Sequence, residues 1–494
     1  MQVSNRSCDS LEIETGVWAA IGSKSGARAF AVFDGHIVLA RIRAHGRIVQ
    51  VWTGSAWNAH PRRRPSNAPV GETLLSSSTS VDLRRLTLKT STYAMVLIFG
   101  LASLLYTMQV FTPLRLTTDG ISYLSFADSA VRADGLTTIN KTYFLLPKGY
   151  PIFLFAMMRM GIFSSASLVA SNLIFLWLAL AFSFQTLTAL AFEREVAATA
   201  CLLTYLSYAS VKHVTQAMSD FLFFVLAACA FWLMTKKGAY RWLAVLPSLC
   251  AVEVRLLGLA LFAPIAFLVW ESAAKRPRVL VPVCGIVACC LGIGIWAGRR
   301  YFATNASILR HEGVAHFIWR SSITHCEDFG QLIINLPWTK LPSWTAVFII
   351  GTGAVALLLF VMGVIALHKS LPLVSFYLVG CSVLILPWPF TDPRFWLPVM
   401  PYVVVAIWKG IVQVFEKVPK WTLVGYTALF SVAGFAALGY STWITFSGPK
   451  FPYRYGDGVL RSAYIAHCSG SAESSNQEAL NLLRRYEWRC DAKQ

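Results

Sequence analysis

The sequence predicts an all-α integral membrane protein: a bundle of about eleven transmembrane helices with an external first loop and an interfacial helix. Of its 494 residues, 56% are hydrophobic and the mean hydropathy is +0.56, whereas soluble domains contain about 45–50% apolar residues. Several uncharged runs reach about 20 residues, the length that crosses a bilayer. A membrane β-barrel is excluded, because its strands alternate apolar and polar residues.

The chain carries 43 Lys and Arg residues against 24 Asp and Glu, a net charge of +19. The basic residues lie between the apolar runs, which favours cytoplasmic loops and anionic lipid headgroups over nucleic acid as their partners. Most of the 11 cysteines lie inside apolar runs and are expected to pack there. Cys326, Cys468 and Cys490 lie in predicted external segments, where a disulfide is chemically allowed.

Residues 1–90 are predicted to be a poorly ordered cytoplasmic tail. They contain no apolar core of the signal-peptide type. Apolar residues alternate between Ala29 and Val51, which leaves a small β domain open as an alternative. Arg84, Arg85 and Lys89 precede the first apolar run and are expected to hold its start in the cytoplasm.

The transmembrane domain is predicted over residues 91–446. The apolar stretch Tyr150–Phe163 is too short to span and is interpreted as a helix at the outer interface. The stretch Trp242–Trp270 is divided into two short helices, because this division keeps both flanking basic clusters in the cytoplasm. The predicted spans are, in order, Tyr93–Thr112, Ser167–Leu190, Val196–Val211, Phe221–Thr235, the two short helices, Val279–Ala297, Ser343–Leu367, Leu371–Trp388, Phe395–Val412 and Trp421–Phe446.

The segments 113–150 and 299–342 are then external loops, and residues 447–494 form an external tail. With this topology the notable polar residues gather on one membrane face. Acids that lie on the same face but far apart in the sequence indicate a shared pocket. These residues are Asp119, Asp128, Lys148, Asp220, Glu253, Arg255, Arg310, His311, Asp392 and Arg394.

Two short motifs follow the first predicted helix. The first reads Asp-Gly-x-x-Tyr-x-x-x-Ala from Asp119 to Ala127, and the second is Gly149-Tyr-Pro151 at the head of an apolar helix. Their order and spacing resemble the GT-C superfamily of membrane glycosyltransferases, which includes protein O-mannosyltransferases and the lipid A aminoarabinose transferase. The resemblance covers roughly Tyr93 to Trp443.

The resemblance implies roles for individual residues. Asp119 corresponds to the catalytic acid of the first external loop, and Asp220, in the pair Ser219-Asp220, corresponds to a second acid that opens the fourth helix. Arg255 resembles an outer-turn arginine before an apolar helix, and Arg394 begins a pattern similar to Arg-Tyr-Leu-x-Pro. The implied substrate- and phosphate-binding set is Arg255, Arg394, Lys148, Tyr123 and Glu253.

The function expected from these features is transfer of a sugar from a polyprenyl-phosphate-linked donor to an extracytoplasmic glycan, lipid or protein. An external site has no access to cytoplasmic sugar nucleotides, so the donor should be membrane-anchored. A carboxylate can act as the base, and arginines can stabilise the departing phosphate. The resemblance implies an inverting enzyme of the cell membrane, in contact with lipids and not with nucleic acid.

No cofactor is predicted. Many relatives carry Asp-Glu in the first loop where this chain has Asp119-Gly120, which leaves the use of a divalent metal open. The spacing of His311, His316 and Cys326 matches no standard metal site.

Structural explanations compete with each functional one. Asp119 could be a solvated loop acid, Asp220 a helix cap, and Arg255 a partner of Glu253 alone. Lys148 and Arg394 could anchor the interface. A transporter or flippase of lipid-linked glycans is the main rival function, and a non-catalytic assembly scaffold is a third.

Overall fold

The computed structural model describes residues 94–132, 147–273, 313–337, 342–388, 392–415, 420–455, 458–471 and 473–487, single positions between 285 and 311, and five strands before residue 55. The chain divides into two compact units, Met1–Asp82 and Leu83–Gln494. The predicted span Val279–Ala297 falls almost entirely outside the described residues.

The first unit contains a five-stranded antiparallel sheet in which each strand pairs with the next one along the chain. The alternating stretch Ala29–Val51 falls on its last three strands. The cytoplasmic position of residues 1–90 stays a prediction. The strands are β1 Leu11–Ile13, β2 Gly16–Ser23, β3 Gly26–Phe33, β4 His36–Ile42 and β5 Ile48–Gly54.

The described part of the second unit is helical. Six short 3-10 helices, among them Leu256–Leu261 and Pro393–Val399, interrupt or extend its α-helices. The α-helices are α1 Ala94–Phe111 (its last turn 3-10), α2 Thr118–Arg132, α3 Gly149–Arg159, α4 Ser165–Ala189, α5 Arg194–Tyr205, α6 Tyr208–His213, α7 Asp220–Met234, α8 Val245–Val254, α9 Phe262–Ala273, α10 Val314–Ile334, α11 Ala346–Ser370, α12 Pro372–Ile385, α13 Met400–Val414, α14 Lys420–Thr445, α15 Phe451–Tyr455, α16 Gly458–Ser469 and α17 Gln477–Tyr486.

Five helical segments of this unit are long and apolar enough to cross a membrane, and three shorter apolar helices accompany them. The long segments are Ala94–Phe111, Ser165–Ala189, Ser343–Ser370, Pro393–Val414 and Trp421–Thr445. Large apolar side chains stand exposed along α11, including Val347, Val355 and Leu358, as expected of a surface that faces lipid. The predicted all-α, multi-pass membrane domain is confirmed, while the count of eleven spans stays a prediction.

One predicted span is wrong. Val196–Val211 was expected to be a single helix, but the chain leaves α5 at Leu206 and begins α6 at Tyr208. The cause is local: Ser207 adopts extended backbone angles, and its hydroxyl accepts a hydrogen bond from the Ser210 amide at 3.1 Å. Serine in this position starts a new helix, because its side chain replaces the missing backbone acceptor.

Two other local predictions are confirmed. A helix too short to span a membrane is present as α3, which is 11 residues long, while its position at the membrane interface stays a prediction. The expected division of residues 242–270 occurs at Arg255, which has extended backbone angles between α8 and the following 3-10 helix.

Close packing holds neighbouring helices of the bundle together. A Cβ atom added to Gly363 on α11 would lie 1.7 Å from the carbonyl oxygen of Ala406 on α13, so only glycine allows this approach. Helix α7 packs against α4, α8 and the 3-10 helix Pro393–Val399. The ends of several elements that carry predicted site residues are thereby brought together.

Candidate active site

A short parallel pairing aligns the two segments that lead into the acidic helices. Arg115 forms an isolated β-bridge with Gln216. Asp119 and Asp220 each lie four residues beyond the bridging residue of their own segment. Asp119 lies in the first turn of α2 and Asp220 is the first residue of α7, where the helix dipole favours a negative charge.

Each of the two carboxylates pairs with one of the predicted arginines. Arg394 Nη2 donates to Asp119 Oδ2 at 2.6 Å, and Arg255 Nη1 donates to Asp220 Oδ1. The two pairs differ in burial: the Asp119 side chain is 41% exposed, whereas that of Asp220 is 1% exposed. The structure therefore contains one accessible and one buried carboxylate, each in the first turn of its helix.

A single aromatic ring joins the two pairs. The guanidinium carbon of Arg255 lies 5.2 Å from the centre of the Phe395 ring, and that of Arg394 lies 5.3 Å from it. Cation–π contacts at this distance are attractive. Phe395 was not among the predicted site residues; its position directly after Arg394 was the only signal in the sequence.

Asp392 fixes the orientation of Arg394. Its Oδ1 accepts from the Arg394 backbone amide at 3.0 Å, and its Oδ2 lies 3.3 Å from Arg394 Nε. His213 Nε2 lies 3.9 Å from Asp392 Oδ1, and His213 Nδ1 lies 2.8 Å from Gln216 Oε1. Sequence reasoning placed Asp392 on this face but not in the site, and it did not select His213.

Burial and neighbouring charges set the protonation of this group. Burial lowers the pKa of His213 to about 4, although the Asp392 carboxylate opposes that change, so the imidazole is neutral at pH 7. Burial acts to raise the pKa of Asp392, but the nearby positive charges together with the Arg394 backbone amide lower it overall. Asp392 is therefore an anion that can hold the Arg394 guanidinium.

Tyr123 lies beside the buried pair. Its hydroxyl oxygen is 3.5 Å from the Oγ of Ser219, the residue that precedes Asp220. Its ring meets the Tyr150 ring edge-on, with the ring centres 5.2 Å apart. The structure thus brings Tyr123 together with the two acids and the two arginines. The chemical roles of all five stay predictions.

Lys148 and Glu253 belong to an adjacent junction. Gly149, which follows Lys148, packs so closely on α8 that an added Cβ would lie 2.8 Å from the Glu253 carbonyl. Neither side chain belongs to the two Asp–Arg pairs, and Glu253 is exposed without an ion pair to any described residue. The suggestion that Arg255 pairs with Glu253 alone is wrong, because Asp220 occupies that role.

A buried cation lies just before Asp119. The Arg115 guanidinium donates to hydroxyls of Thr112, Thr215, Ser441 and Thr445 and to the Ser441 carbonyl, at 2.9–3.3 Å. Burial lowers the pKa of Arg115 to about 10, so it remains charged at pH 7. Arg115 therefore ties the first loop to α14, a contact that sequence reasoning missed.

Asp128 has a different environment from the site acids. It pairs with Arg132 at 2.8 Å and with Arg485, and it accepts a hydrogen bond from the Tyr486 hydroxyl at 2.7 Å.

Across the described residues, no group of three or more His, Cys, Asp or Glu side chains could hold a metal ion. The absence of a cofactor stays a prediction.

Comparison with known proteins gives a distant structural likeness. No family model matches the sequence, and no curated protein matches it. The chain is similar to the crystal structure of ArnT from Cupriavidus metallidurans in the apo state, with a TM-score of 0.44 and 12% sequence identity over 81% of this chain and 85% of that one. At this TM-score and identity, functional arguments depend on the site's geometry and not on the likeness.

Proposed function

We propose that the protein is a membrane glycosyltransferase that moves a sugar from a polyprenyl-phosphate-linked donor to an extracytoplasmic acceptor. The observation that carries this proposal is the pair of Asp–Arg contacts around Phe395, one exposed and one buried. Such a group supplies both a carboxylate for an acceptor hydroxyl and guanidinium groups for a phosphate. The resemblance of the sequence motifs to GT-C enzymes points to the same chemistry.

The difference in burial assigns different roles to the acids. Asp119, with 41% of its side chain exposed, can reach an incoming acceptor, whereas Asp220 is enclosed by protein. Asp119 is therefore the base or acceptor-orienting group. Asp220 keeps Arg255 in place and does not meet the acceptor.

The proposed reaction is a single displacement with inversion. Asp119 accepts the proton of an acceptor hydroxyl, and the acceptor oxygen forms a bond to the anomeric carbon of the donor sugar. The bond between that carbon and the phosphate oxygen breaks, and polyprenyl phosphate departs with the electron pair. Arg255 and Arg394 stabilise the negative charge that develops on its oxygen.

Donor binding requires the phosphate to share or take guanidinium donors that carboxylates now occupy. Arg394 can make this exchange without losing its position, because Asp392 contacts its Nε and backbone amide rather than Nη2. Arginine has five donors in a planar fork, which suits simultaneous contact with a carboxylate and a phosphate.

The placement of the charges favours transferase over transport. Asp119 and Asp220 begin helices, Arg255 directly follows α8, and Arg394 lies at the start of the segment Pro393–Val414. Charged groups at helix ends fit a site at the membrane surface, whereas transporters place substrate sites near the middle of the bilayer. Transport stays the rival outcome of the experiment below.

Two observations support an external location. Arg84, Arg85 and Lys89 before α1 favour a cytoplasmic start for that helix, so its end and Asp119 would lie outside. Cys468 in α16 is disulfide-bonded, which is typical of an oxidising compartment. The segment around α15–α17 contacts the residues just before Asp119, so both belong to the same side.

Mass spectrometry of lipid-linked sugars and surface glycans tests the proposal. The strains are wild type, a deletion, and the deletion carrying Asp119→Asn or Glu195→Gln at equal membrane abundance. Glu195 is a matched control, because it is also an acid in a helix first turn but lies in the predicted cytoplasmic segment. Asp119→Asn should match the deletion: the sugar-loaded polyprenyl phosphate accumulates, and the surface glycan lacks one sugar. Glu195→Gln should match wild type.

The opposite pattern would reject the assignment. If Asp119→Asn restores the wild-type glycans while the deletion lacks them, Asp119 is not the catalytic residue and transport or scaffolding is the better explanation. The mass difference between wild-type and deletion glycans identifies the transferred sugar.

A further inference from the structure

The segment Leu114–Leu116 connects α1 to the helix that carries Asp119, and it is held from two sides. On one side Arg115 bridges Gln216 in the segment that leads to Asp220. In an extended chain the backbone groups of alternate residues point to opposite sides. Leu114 and Leu116 accordingly direct their polar groups away from Gln216, toward α15–α17.

Side chains of the C-terminal segment satisfy all four of these backbone groups. The Tyr464 hydroxyl donates to the Leu114 carbonyl at 2.7 Å and accepts from the Leu116 amide at 2.8 Å. The Tyr455 hydroxyl donates to the Leu116 carbonyl at 2.8 Å, and the Glu487 carboxylate accepts from the Leu114 amide. Three side chains thus replace the neighbouring strand that a sheet would provide.

The two tyrosines are themselves held rigidly. Tyr464 is buried, and its ring meets Phe451 and Tyr455 edge-on at 5.4 and 5.9 Å. The Arg115 guanidinium lies 5.5 Å from the centre of the Tyr455 ring, and Gln216 Nε2 donates to the Tyr455 hydroxyl at 3.4 Å. The contacts of Tyr455 therefore reach both segments that lead to the acids.

We infer that Tyr464, with Tyr455 and Glu487, positions Asp119 for the transfer reaction. This inference rests on the proposed function. The three side chains fix the segment three residues before Asp119, and hence the place at which its carboxylate meets Arg394. A displacement of about 1 Å at a reacting group can lower a rate about 100-fold. The C-terminal segment is accordingly part of the frame of the site.

The test uses the full chain in lipid nanodiscs and compares Tyr464→Phe with Tyr453→Phe. Tyr464→Phe removes both hydrogen bonds and keeps the ring contacts. Tyr453 lies in the same segment but is 63% exposed, so its variant controls for the loss of a hydroxyl. Hydrogen exchange of peptides over residues 112–124 reports on the Leu116 amide. Transfer rates are measured with the sugar-loaded lipid carrier extracted from the deletion strain as donor. Membranes of that strain supply the acceptor.

Tyr464→Phe should exchange faster at the Leu116 amide and lower kcat about 10- to 100-fold. The donor KM should stay within about twofold, because Arg255 and Arg394 are unchanged. Tyr453→Phe should match wild type in every measurement. A wild-type kcat for Tyr464→Phe, or a rise in donor KM with kcat unchanged, would overturn the inference while leaving the proposed function intact. If wild-type protein transfers no sugar, the proposed function fails and the inference fails with it.

Discussion

Replacing Asp220 and Asp119 by asparagine should have different effects on stability, although the chemical change is identical. Asp220→Asn leaves Arg255, only 14% exposed, without its carboxylate. Asp119→Asn leaves Arg394 in contact with Asp392, and the lost carboxylate is 41% exposed. The two substitutions therefore differ in burial and in whether the remaining arginine keeps a carboxylate partner.

The magnitudes follow from the two burial states. Removing one partner of a buried pair costs about 3–5 kcal/mol of the free energy of unfolding, because the remaining charge stays in a low dielectric. An exposed pair is worth about 0.2–1 kcal/mol. Replacing both members of a buried pair by apolar groups is often neutral. Asp220→Val combined with Arg255→Leu should thus recover most of the stability and none of the transfer activity.

The assay is the apparent melting temperature (Tm) of each variant in nanodiscs, read from the loss of monodisperse protein on heating. Asp220→Asn should lower Tm by about 5 °C or more, and Asp119→Asn by about 2 °C or less. Equal shifts for the two single variants, or no recovery in the double variant, would show that the Asp220–Arg255 pair is not the buried contact described above.

Three further predictions concern the surroundings of the site. Arg394→Lys should weaken the binding of polyprenyl phosphate about tenfold, because a lysine ammonium lacks the planar fork of N–H donors of a guanidinium. Titration of the protein in nanodiscs with polyprenyl phosphate measures the affinity, and an unchanged affinity would contradict the prediction. Since the folded pKa of His213 lies near 4 and the unfolded value near 6.5, stability should fall by about 3 kcal/mol as pH drops between these values. His213→Gln should remove that slope, and a slope that survives would show that another group titrates. Gly149→Ala should cost about 1–3 kcal/mol, because its Cβ meets the Glu253 backbone, whereas Gly100→Ala has open space around it and should be neutral in the same melting assay.

Several features could be predicted because their causes are local in the chain. Runs of apolar residues determine which segments cross the membrane, since each backbone group must bond within its own helix. The division of residues 242–270 and the short helix α3 followed from length and charge in the same way. The break at Ser207 was not predicted, because a single serine that caps α6 ends the helix inside an otherwise apolar run.

Which side chains contact each other in the site could be read only from the tertiary structure. Asp119 and Arg394 are 275 positions apart, and Leu116 and Tyr464 are 348 apart. The hydropathy pattern predicted that the acids and arginines lie on one membrane face. It contains no information about which helices pack against each other. Only the packing of helix against helix decided that Arg255 pairs with Asp220 instead of Glu253, and that a C-terminal tyrosine holds the segment before Asp119.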